Sequence, residues 1–226
     1  MTSPIAKAAL AIFATLLVAT TQPQNWAGHT ERTESGHRVG NPDGSVHLIG
    51  WASYTCPHCA HFTHDGDGAL ALAYLPTGNV SYEIRAFIRN PVDLSATLLA
   101  FCGEPAKFLP NHELLMRNQA TWLGKAQQAS QAQVQRWSTG TLTSRMRAIA
   151  GDLDLYELIE RNGYDRPQLD RCLADEALAM QLANATQADS ESFGIRGTPS
   201  FAINGTLQDR VHSWADLQPR LDAALN

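Results

Sequence analysis

Two cysteines separated by two residues, Cys56 and Cys59, are the residues of this sequence best suited to chemistry. They follow the apolar run 46–51 after a short connection, so we expect them where a strand passes into a helix. Thiols at this spacing can close a small disulfide, and the N-terminus of a helix favours a thiolate. The pattern predicts a redox-active pair in which Cys56, at the exposed edge of the helix, is the nucleophile and Cys59, one turn further, is the buried resolving thiol.

Pro57 and His58 lie between these cysteines. The His58 side chain can add positive charge or a hydrogen bond to a Cys56 thiolate, which would stabilise the dithiol form and make the protein an oxidant. The alternative interpretation is that His58 is an exposed polar spacer without electronic effect.

The same segment supports a different hypothesis, a metal site. Cys56, His58, Cys59, His61 and His64 all lie within the stretch 56–64, and thiolate and imidazole ligands suit zinc or copper. A second cysteine or histidine pair at the usual zinc-finger spacing is missing from the sequence. We therefore expect no metal, and we interpret His61 and His64 as ordinary residues of a helix surface.

The composition indicates a folded domain with a sizeable core. The chain has 226 residues, of which 44% are hydrophobic and 17% charged, enough for one large domain or for one domain with an insertion. Its formal net charge is -5, and its basic residues are scattered. This charge pattern argues against a nucleic-acid-binding protein.

The N-terminus is typical of an export signal. Lys7 precedes the apolar stretch 8–19, and polar residues follow up to position 25. We predict a signal peptide over 1–24, with an uncleaved anchor or a buried apolar helix as the alternatives. Export would place the protein in an oxidising compartment, where its four cysteines could form two disulfides.

The first part of the remaining sequence predicts a strand–helix–strand unit. Residues 37–39 form a short extended candidate, and 46–52 have the pattern of a buried strand. A helix follows over 60–75, weakened by two glycines that indicate a kink, and the β-branched and aromatic stretch 80–89 is the next strand. This order predicts a parallel pair of strands.

The second part is helical before it returns to the αβ pattern. Residues 93–185 contain several helical patterns and nothing comparable to the strands before them. A strand over 201–206 and a closing helix over 214–225 follow.

Two separated motifs carry a resemblance to a known family. One is the stretch 53–59 (SYTCPHC) with Phe62 behind it, and the other is 197–201 (GTPSF) before a strand. In this order, with helical sequence between them, the chain resembles the DsbA-like thiol-disulfide oxidoreductases of the thioredoxin-fold superfamily. The resemblance implies an α/β, thioredoxin-like fold, made of residues 25–92 and 186–226, with an all-helical insertion over 93–185.

The resemblance also implies roles for residues outside the cysteine pair. Pro199 matches the cis-proline of the family and would shape the substrate groove together with Thr198. Cys102 and Cys172 would form a second, structural disulfide, the alternative being two buried thiols. The implied activity is that of a periplasmic oxidase that passes its Cys56–Cys59 disulfide to unfolded secreted polypeptides, needs no cofactor beyond that disulfide and is reoxidised by a DsbB-type membrane partner.

One position departs from the family pattern. The family usually has a buried acid six residues before the first active-site cysteine, where this sequence has Gly50. We therefore expect deprotonation of Cys59 to depend on water or on another carboxylate, and Gly50→Glu to change the resolution kinetics.

A disulfide isomerase or reductase is the alternative to an oxidase. Only about a dozen residues separate the predicted signal from the first predicted strand, which leaves no room for the N-terminal dimerisation domain of isomerase relatives. This length favours a monomeric oxidase.

Overall fold

The protein is described by a computed structural model that covers residues 25–226. The predicted signal peptide, 1–24, lies outside the described residues. A mixed sheet of six strands organises the fold, in the order β1-β2-β4-β3-β5-β6. The strands are β1 (Thr30–Arg32), β2 (Gly36–Gly40), β3 (Val46–Ala52), β4 (Val80–Ala86), β5 (Ser200–Ile203) and β6 (Thr206–Leu207).

The two central strands form the predicted parallel pair. β3 and β4 run parallel from the partners Val46 and Val80 to Ala52 and Ala86, and every other pairing in the sheet is antiparallel. Both strands are largely buried, as their β-branched and aromatic residues lead one to expect. β1 is not predicted from the sequence, because its three residues are polar and only partly buried, and pairing with β2 holds it in place.

The helix after the cysteines is less regular than its sequence pattern predicts. α1 (Pro57–Phe62) passes into two π-helical stretches, Thr63–Asp67 and Leu70–Tyr74, and ends in a 3₁₀ turn. A Cβ atom at Gly66, within the first π-helical stretch, would lie 2.9 Å from the Phe62 ring. The glycine therefore permits close packing there, and π-helical turns are frequent at functional sites.

The connection between β4 and β5 consists of helices, in agreement with the predicted insertion. They are α2 (Pro91–Ala100), α3 (Phe108–Arg117), α4 (Gln119–Gln127), α5 (Gln131–Ser138), α6 (Leu142–Asp152), α7 (Leu155–Glu160), α8 (Arg166–Cys172) and α9 (Glu176–Phe193). The predicted boundary at residue 185 falls inside α9, so the helical region extends further along the chain. The closing helix, α10 (Trp214–Leu225), has the predicted bounds.

α9 ties the helical region to the sheet. Its Asp189 side chain is buried and accepts hydrogen bonds from Trp51 Nε1 on β3, at 2.7 Å, and from Arg85 Nη1 on β4, at 2.9 Å. Trp51 also packs against Phe193, at the end of α9. Among the described residues, none of the helices is long and apolar enough to cross a membrane.

Cys102 and Cys172 are joined by a disulfide in the structure, with their Cα atoms 5.5 Å apart. Cys102 lies just after α2, and Cys172 is the last residue of α8. The bond therefore links the end of α2 to α8 through two cysteines that are 70 residues apart in sequence.

Candidate active site

Cys56 and Cys59 lie at the beginning of α1, beyond the end of β3. Cys56 is the N-cap residue, with an extended backbone, and its carbonyl oxygen accepts hydrogen bonds from the N–H groups of Cys59, at 3.1 Å, and Ala60, at 3.3 Å. Pro57 occupies the first helical position, where its missing N–H costs no hydrogen bond. Both cysteines are free thiols, so the structure represents the reduced state.

Asp93, in the first turn of α2, anchors the loop that leads to Cys56. Its carboxylate accepts hydrogen bonds from Ser53 Oγ at 2.6 Å, from the Tyr54 N–H at 2.7 Å and from the Arg89 N–H at 3.0 Å. Burial raises the pKa of Asp93 to about 6, although these hydrogen bonds oppose the rise. Asp93 is not predicted from the sequence, because nothing local relates it to a loop 40 residues away.

Gln119, the first residue of α4, is a second anchor that the sequence analysis missed. It is buried, and its Nε2 donates to the carbonyl oxygens of Tyr54, at 2.8 Å, and Cys56, at 2.9 Å. The helical insertion thus holds the active-site turn from two sides.

The loop of Thr198 and Pro199, directly before β5, faces the cysteines. The Thr198–Pro199 peptide bond is cis, and the Cys56 thiol, in its protonated form, donates to the Thr198 carbonyl oxygen at 3.1 Å. His212 Nδ1 lies 2.8 Å from the Pro199 carbonyl oxygen and holds the loop from behind. Within the described chain, the buried Thr198 Oγ1 has no hydrogen-bond partner, so it can donate to a Cys56 thiolate once one forms.

The structure lowers the pKa of the Cys56 thiol to about 5. The largest cause is the hydrogen bond from the Cys59 thiol, and the Thr198 hydroxyl and the N–H groups of Cys59 and His58 add to it. Burial of Cys56 works in the opposite direction. Cys56 is therefore largely a thiolate at neutral pH, which is the reactive form of a cysteine.

The pKa of Cys59 is raised well above its ordinary value. Burial is the largest cause, followed by its hydrogen bond to Cys56 and the negative charge of Cys56. The two thiols thus differ as the sequence predicts: Cys56 is acidic, and Cys59 stays protonated.

Cys56 is less exposed than the sequence analysis predicts. Only 4% of its surface is accessible, against 2% for Cys59. Its position at the N-terminal edge of α1 is as predicted, but the Thr198–Pro199 loop lies against its sulfur. Tertiary contact, which helix position alone does not reveal, therefore buries the edge thiol as well.

The histidines of this segment lie on the surface. His58, His61 and His64 are all exposed. It is the backbone N–H of His58 that contributes to the lowered pKa of Cys56. Among the residues with described positions, no group of three or more His, Cys, Asp or Glu side chains is arranged to hold a metal ion.

Gly50 lies in β3, next to a buried tyrosine. A Cβ atom at this position would be 2.9 Å from Tyr82 Oη and 3.2 Å from Phe201 Cε1. The space that a side chain of residue 50 would need is therefore occupied by Tyr82.

The geometry defines a class of protein, a thioredoxin-like fold with a dithiol at the start of the first helix after β3 and a cis-proline loop facing it. A family model described as "Thioredoxin" matches residues 32–223. The chain therefore belongs to this thioredoxin family.

Known proteins resemble the chain over most of its length. A structure described as a protein-disulfide isomerase from Novosphingobium aromaticivorans has 41% sequence identity and a TM-score of 0.81, covering 85% of this chain and 98% of that one. The structure of Wolbachia pipientis alpha-DsbA1, at 18% identity and a TM-score of 0.65, covers 83% of this chain and 89% of its own and shares the fold.

A curated relative from Rickettsia bellii is named "Putative protein-disulfide oxidoreductase". It is 25% identical over 188 residues, which cover 83% of this chain but 63% of the relative. The chain thus spans less than two thirds of that protein's length.

Proposed function

We propose that this protein is an exported thiol-disulfide oxidoreductase that donates its Cys56–Cys59 disulfide to unfolded secreted polypeptides. The observation that carries the proposal is the pair of opposite pKa shifts, to about 5 for Cys56 and well above the ordinary value for Cys59. The names of the relatives from Rickettsia bellii and Novosphingobium aromaticivorans support the same reaction class.

The reaction begins with attack on the oxidised protein. A client thiolate bonds to Cys56 Sγ, the Cys56–Cys59 bond breaks, and Cys59 leaves with the electron pair and takes up a proton. A second client thiolate then attacks the client sulfur of the mixed disulfide and releases Cys56 as a thiolate. The client has gained a disulfide, and two electrons have reached the protein.

The acidity of Cys56 favours this direction because it stabilises the reduced protein. A thiol with a pKa of about 5, compared with 9.0, gains on the order of 3 kcal/mol at pH 7 by ionising, at about 1.4 kcal/mol for each pKa unit. For a two-electron couple, this corresponds to a potential raised by roughly 60 mV.

An apolar groove next to the thiols fits the proposed client. Its volume is about 480 Å³, and Thr55 and Pro57 form the end near Cys56. Val92, Val134 and Trp137 of the insertion are among the residues that line the remainder, and Val134 is 49% exposed. Unfolded polypeptides expose apolar side chains, so the groove would hold a client segment while its cysteine reaches Cys56.

The remaining parts of the proposal rest on the resemblance to the DsbA-like family. They are a periplasmic location, reoxidation by a DsbB-type membrane partner, a monomeric state and a redox-active disulfide as the sole cofactor. Under this proposal, His58 and Pro57 tune the thiolate, and Thr198 and Pro199 shape the site where the client binds.

The test is the equilibrium of the Cys56–Cys59 disulfide in glutathione buffers, read by alkylation and peptide mass. The Cys102–Cys172 disulfide must be resolved separately. A potential well above the glutathione poise, towards the roughly -120 mV of strong disulfide donors, supports the oxidase. A value near the roughly -270 mV of thioredoxin would make the protein a reductase and contradict the proposal.

A disulfide isomerase is the second candidate, favoured by the description of the Novosphingobium aromaticivorans structure. Two substrates separate these functions, a reduced unfolded protein and the same protein with scrambled disulfides. An oxidase restores activity mainly to the first, whereas an isomerase restores it to the second.

A further inference from the structure

A buried polar cluster lies beside Cys59, and the mechanism above gives it no role. Asp67, in the π-helical stretch after α1, is 7% exposed, and His112 of α3 is 2% exposed. His112 Nε2 lies 3.5 Å from Asp67 Oδ2 and 3.2 Å from Thr63 Oγ1, and His112 Nδ1 lies 2.9 Å from Tyr54 Oη.

Asp67 lacks the hydrogen bonds that a buried carboxylate normally has. Neither of its oxygens has a hydrogen-bond partner among the described residues. Leaving a buried polar group unpaired costs free energy, so an unpaired carboxylate in a folded protein calls for an explanation. Thr63 Oγ1, 3.2 Å from His112 Nε2, extends the cluster towards Cys59, since Thr63 and Cys59 line the same cavity.

A small cavity connects this cluster to Cys59. Its volume is about 10 Å³, roughly the space of one water molecule. Cys59, Thr63 and His112 all line it, together with Gly50 and Tyr82. The cavity therefore places the resolving thiol next to Thr63 and to His112, whose Nε2 lies 3.5 Å from Asp67 Oδ2.

We propose that the Asp67–His112 pair exchanges the proton of Cys59, through the Thr63 hydroxyl and the adjoining cavity, in place of the acid that is absent at Gly50. Asp67 is the proton acceptor, and His112 Nε2, 3.2 Å from Thr63 Oγ1 and 3.5 Å from Asp67 Oδ2, carries the proton between them. This inference rests on the resolving role of Cys59 in the proposed function.

The proton balance is the same in both directions of the reaction. When a mixed disulfide resolves, the proton of Cys59 S–H passes through Thr63 Oγ1 and His112 Nε2 to Asp67, Cys59 Sγ bonds to Cys56 Sγ, and the partner sulfur leaves as a thiolate. When a client thiolate opens the Cys56–Cys59 disulfide, Cys59 leaves as a thiolate and takes the proton back from the pair. Oxidation and reduction are confined to the sulfur atoms.

The other titratable groups around the pair are two phenols, His37 and Asp93. Burial raises the pKa of Tyr54 and of Tyr82 well above the ordinary value, so both phenols remain protonated. On the far side of His112, burial lowers the pKa of His37 to about 3, so it is uncharged. Asp93, which binds Ser53 and the Tyr54 N–H, also acts on the cluster through its charge, which helps to raise the pKa of Tyr54.

The experiment follows the two steps separately. Reduced protein is mixed with excess oxidised glutathione, quenched with acid at intervals, and analysed by mass for the Cys56–glutathione mixed disulfide and the Cys56–Cys59 disulfide. Formation of the mixed disulfide tests the nucleophile of the proposed function, whereas its decay tests the present inference. Wild type is compared with Asp67→Asn over a series of pH values.

We expect Asp67→Asn to form the mixed disulfide at the wild-type rate and to resolve it more slowly by about a hundredfold or more, since general acid–base catalysis typically contributes about 10²–10⁴-fold. Without the acceptor, only preformed Cys59 thiolate reacts, so the decay rate should rise by about tenfold per pH unit, a steeper slope than in wild type. Such a change of slope would not follow from a merely structural role.

Asp65→Asn is the matched control, because Asp65 is an exposed acid in the same π-helical stretch. It should leave both steps unchanged. If Asp67→Asn does not fold, Thr63→Val carries the decision, since it keeps the shape of Thr63 and removes the hydroxyl. If the mixed disulfide of the folded variant decays at the wild-type rate and with the wild-type pH slope, the proposal is wrong. If the mixed disulfide forms slowly in wild type and in every variant, the result counts against the proposed function instead.

Discussion

At the scale of single residues, the site depends on one thiol acting on another. The hydrogen bond from Cys59 is the largest cause of the lowered pKa of Cys56, and the same bond helps to raise the pKa of Cys59. One contact therefore shifts the two pKa values in opposite directions, and burial adds the largest part of the rise at Cys59.

Removing the Cys59 thiol should make Cys56 less acidic. In Cys59→Ala, we expect the pKa of Cys56 to rise from about 5 by at least about one unit, because a hydrogen bond to a charged group is worth roughly 1.5–3 kcal/mol. Titration of the thiolate absorbance of the reduced protein measures it. Cys59→Ser, which keeps a hydroxyl donor, should show a smaller rise, and an unchanged pKa in Cys59→Ala would show that another group holds the thiolate.

The same shift predicts how stability depends on pH. Because the folded pKa of Cys56 is about 5 and the unfolded value near 9.0, the unfolded reduced chain binds more protons between these values. The free energy of unfolding of the reduced protein, relative to the oxidised one, should therefore rise with pH from about 5 to about 9 and be lost as pH falls through 5.

Urea unfolding of both redox forms across this range measures the difference. The rise of the Asp93 pKa to about 6 acts on both forms, so it cancels in the comparison. A difference that does not vary with pH would contradict the thiolate assignment.

At the scale of elements, the packing of β3 against β4 determines what residue 50 can be. We expect Gly50→Ala to destabilise the protein and Gly50→Glu to do so by more, about 1–3 kcal/mol, because Tyr82 Oη stands 2.9 Å from the added Cβ. Gly124→Ala in α4 is the control, since a Cβ there meets nothing within 4 Å and should stabilise the helix by up to about 1 kcal/mol. Urea unfolding compares them.

This packing leaves no room at residue 50 for the acid that the family usually has there. Gly50→Glu cannot supply a proton acceptor without moving Tyr82, so a change in its resolution kinetics would combine two effects. Equal stability of Gly50→Ala and wild type would show that Tyr82 moves aside at a lower cost in free energy than this contact indicates.

α5 supplies the exposed wall of the apolar groove. We expect Val134→Asp to slow oxidation of an unfolded protein client several-fold, because it places a charge where apolar side chains would bind, and to leave the reaction with glutathione unchanged. Stopped-flow rates with both substrates measure this. Met180→Asp changes an exposed methionine of α9 outside the groove and should affect neither rate, while equal effects on both substrates would argue against client binding in the groove.

At the scale of the whole molecule, the helical insertion is both the wall of the site and its anchor. Asp93 and Gln119 hold the turn before and at Cys56 from α2 and α4, and Asp189 binds the sheet from α9. A change that destabilises the insertion should therefore alter the active-site turn only when it breaks these hydrogen bonds.

The disulfide of the insertion offers a test of that view. Replacing Cys102 and Cys172 by serine should lower the free energy of unfolding by about 2–4 kcal/mol, since the bond closes a loop of 70 residues. Thermal unfolding measures the loss. The equilibrium of the Cys56–Cys59 pair with glutathione should stay unchanged at a temperature where the variant is folded, and a shifted equilibrium would mean that the two disulfides are coupled.

The sequence by itself determined the features that depend on neighbouring residues. The cysteine pair lies where the strand pattern 46–52 gives way to α1, the parallel partner β4 follows, and a helical stretch separates these from the last strands. Such features follow from the period of apolar residues and from turn and proline signals, which act over a few residues. The resemblance in two short motifs added the fold family and the proline loop.

Only the tertiary structure decided which groups surround the thiols. Thr198 is 142 residues from the Cys56 thiol that it contacts, and Gln119 is 63 residues from the carbonyl group that it binds. The burial of Cys56, the Asp93 anchor and the unpaired Asp67 beside His112 likewise arise when distant helices pack together. Local sequence cannot fix these contacts, because burial and hydrogen bonding depend on which segments meet in space and not on their order along the chain.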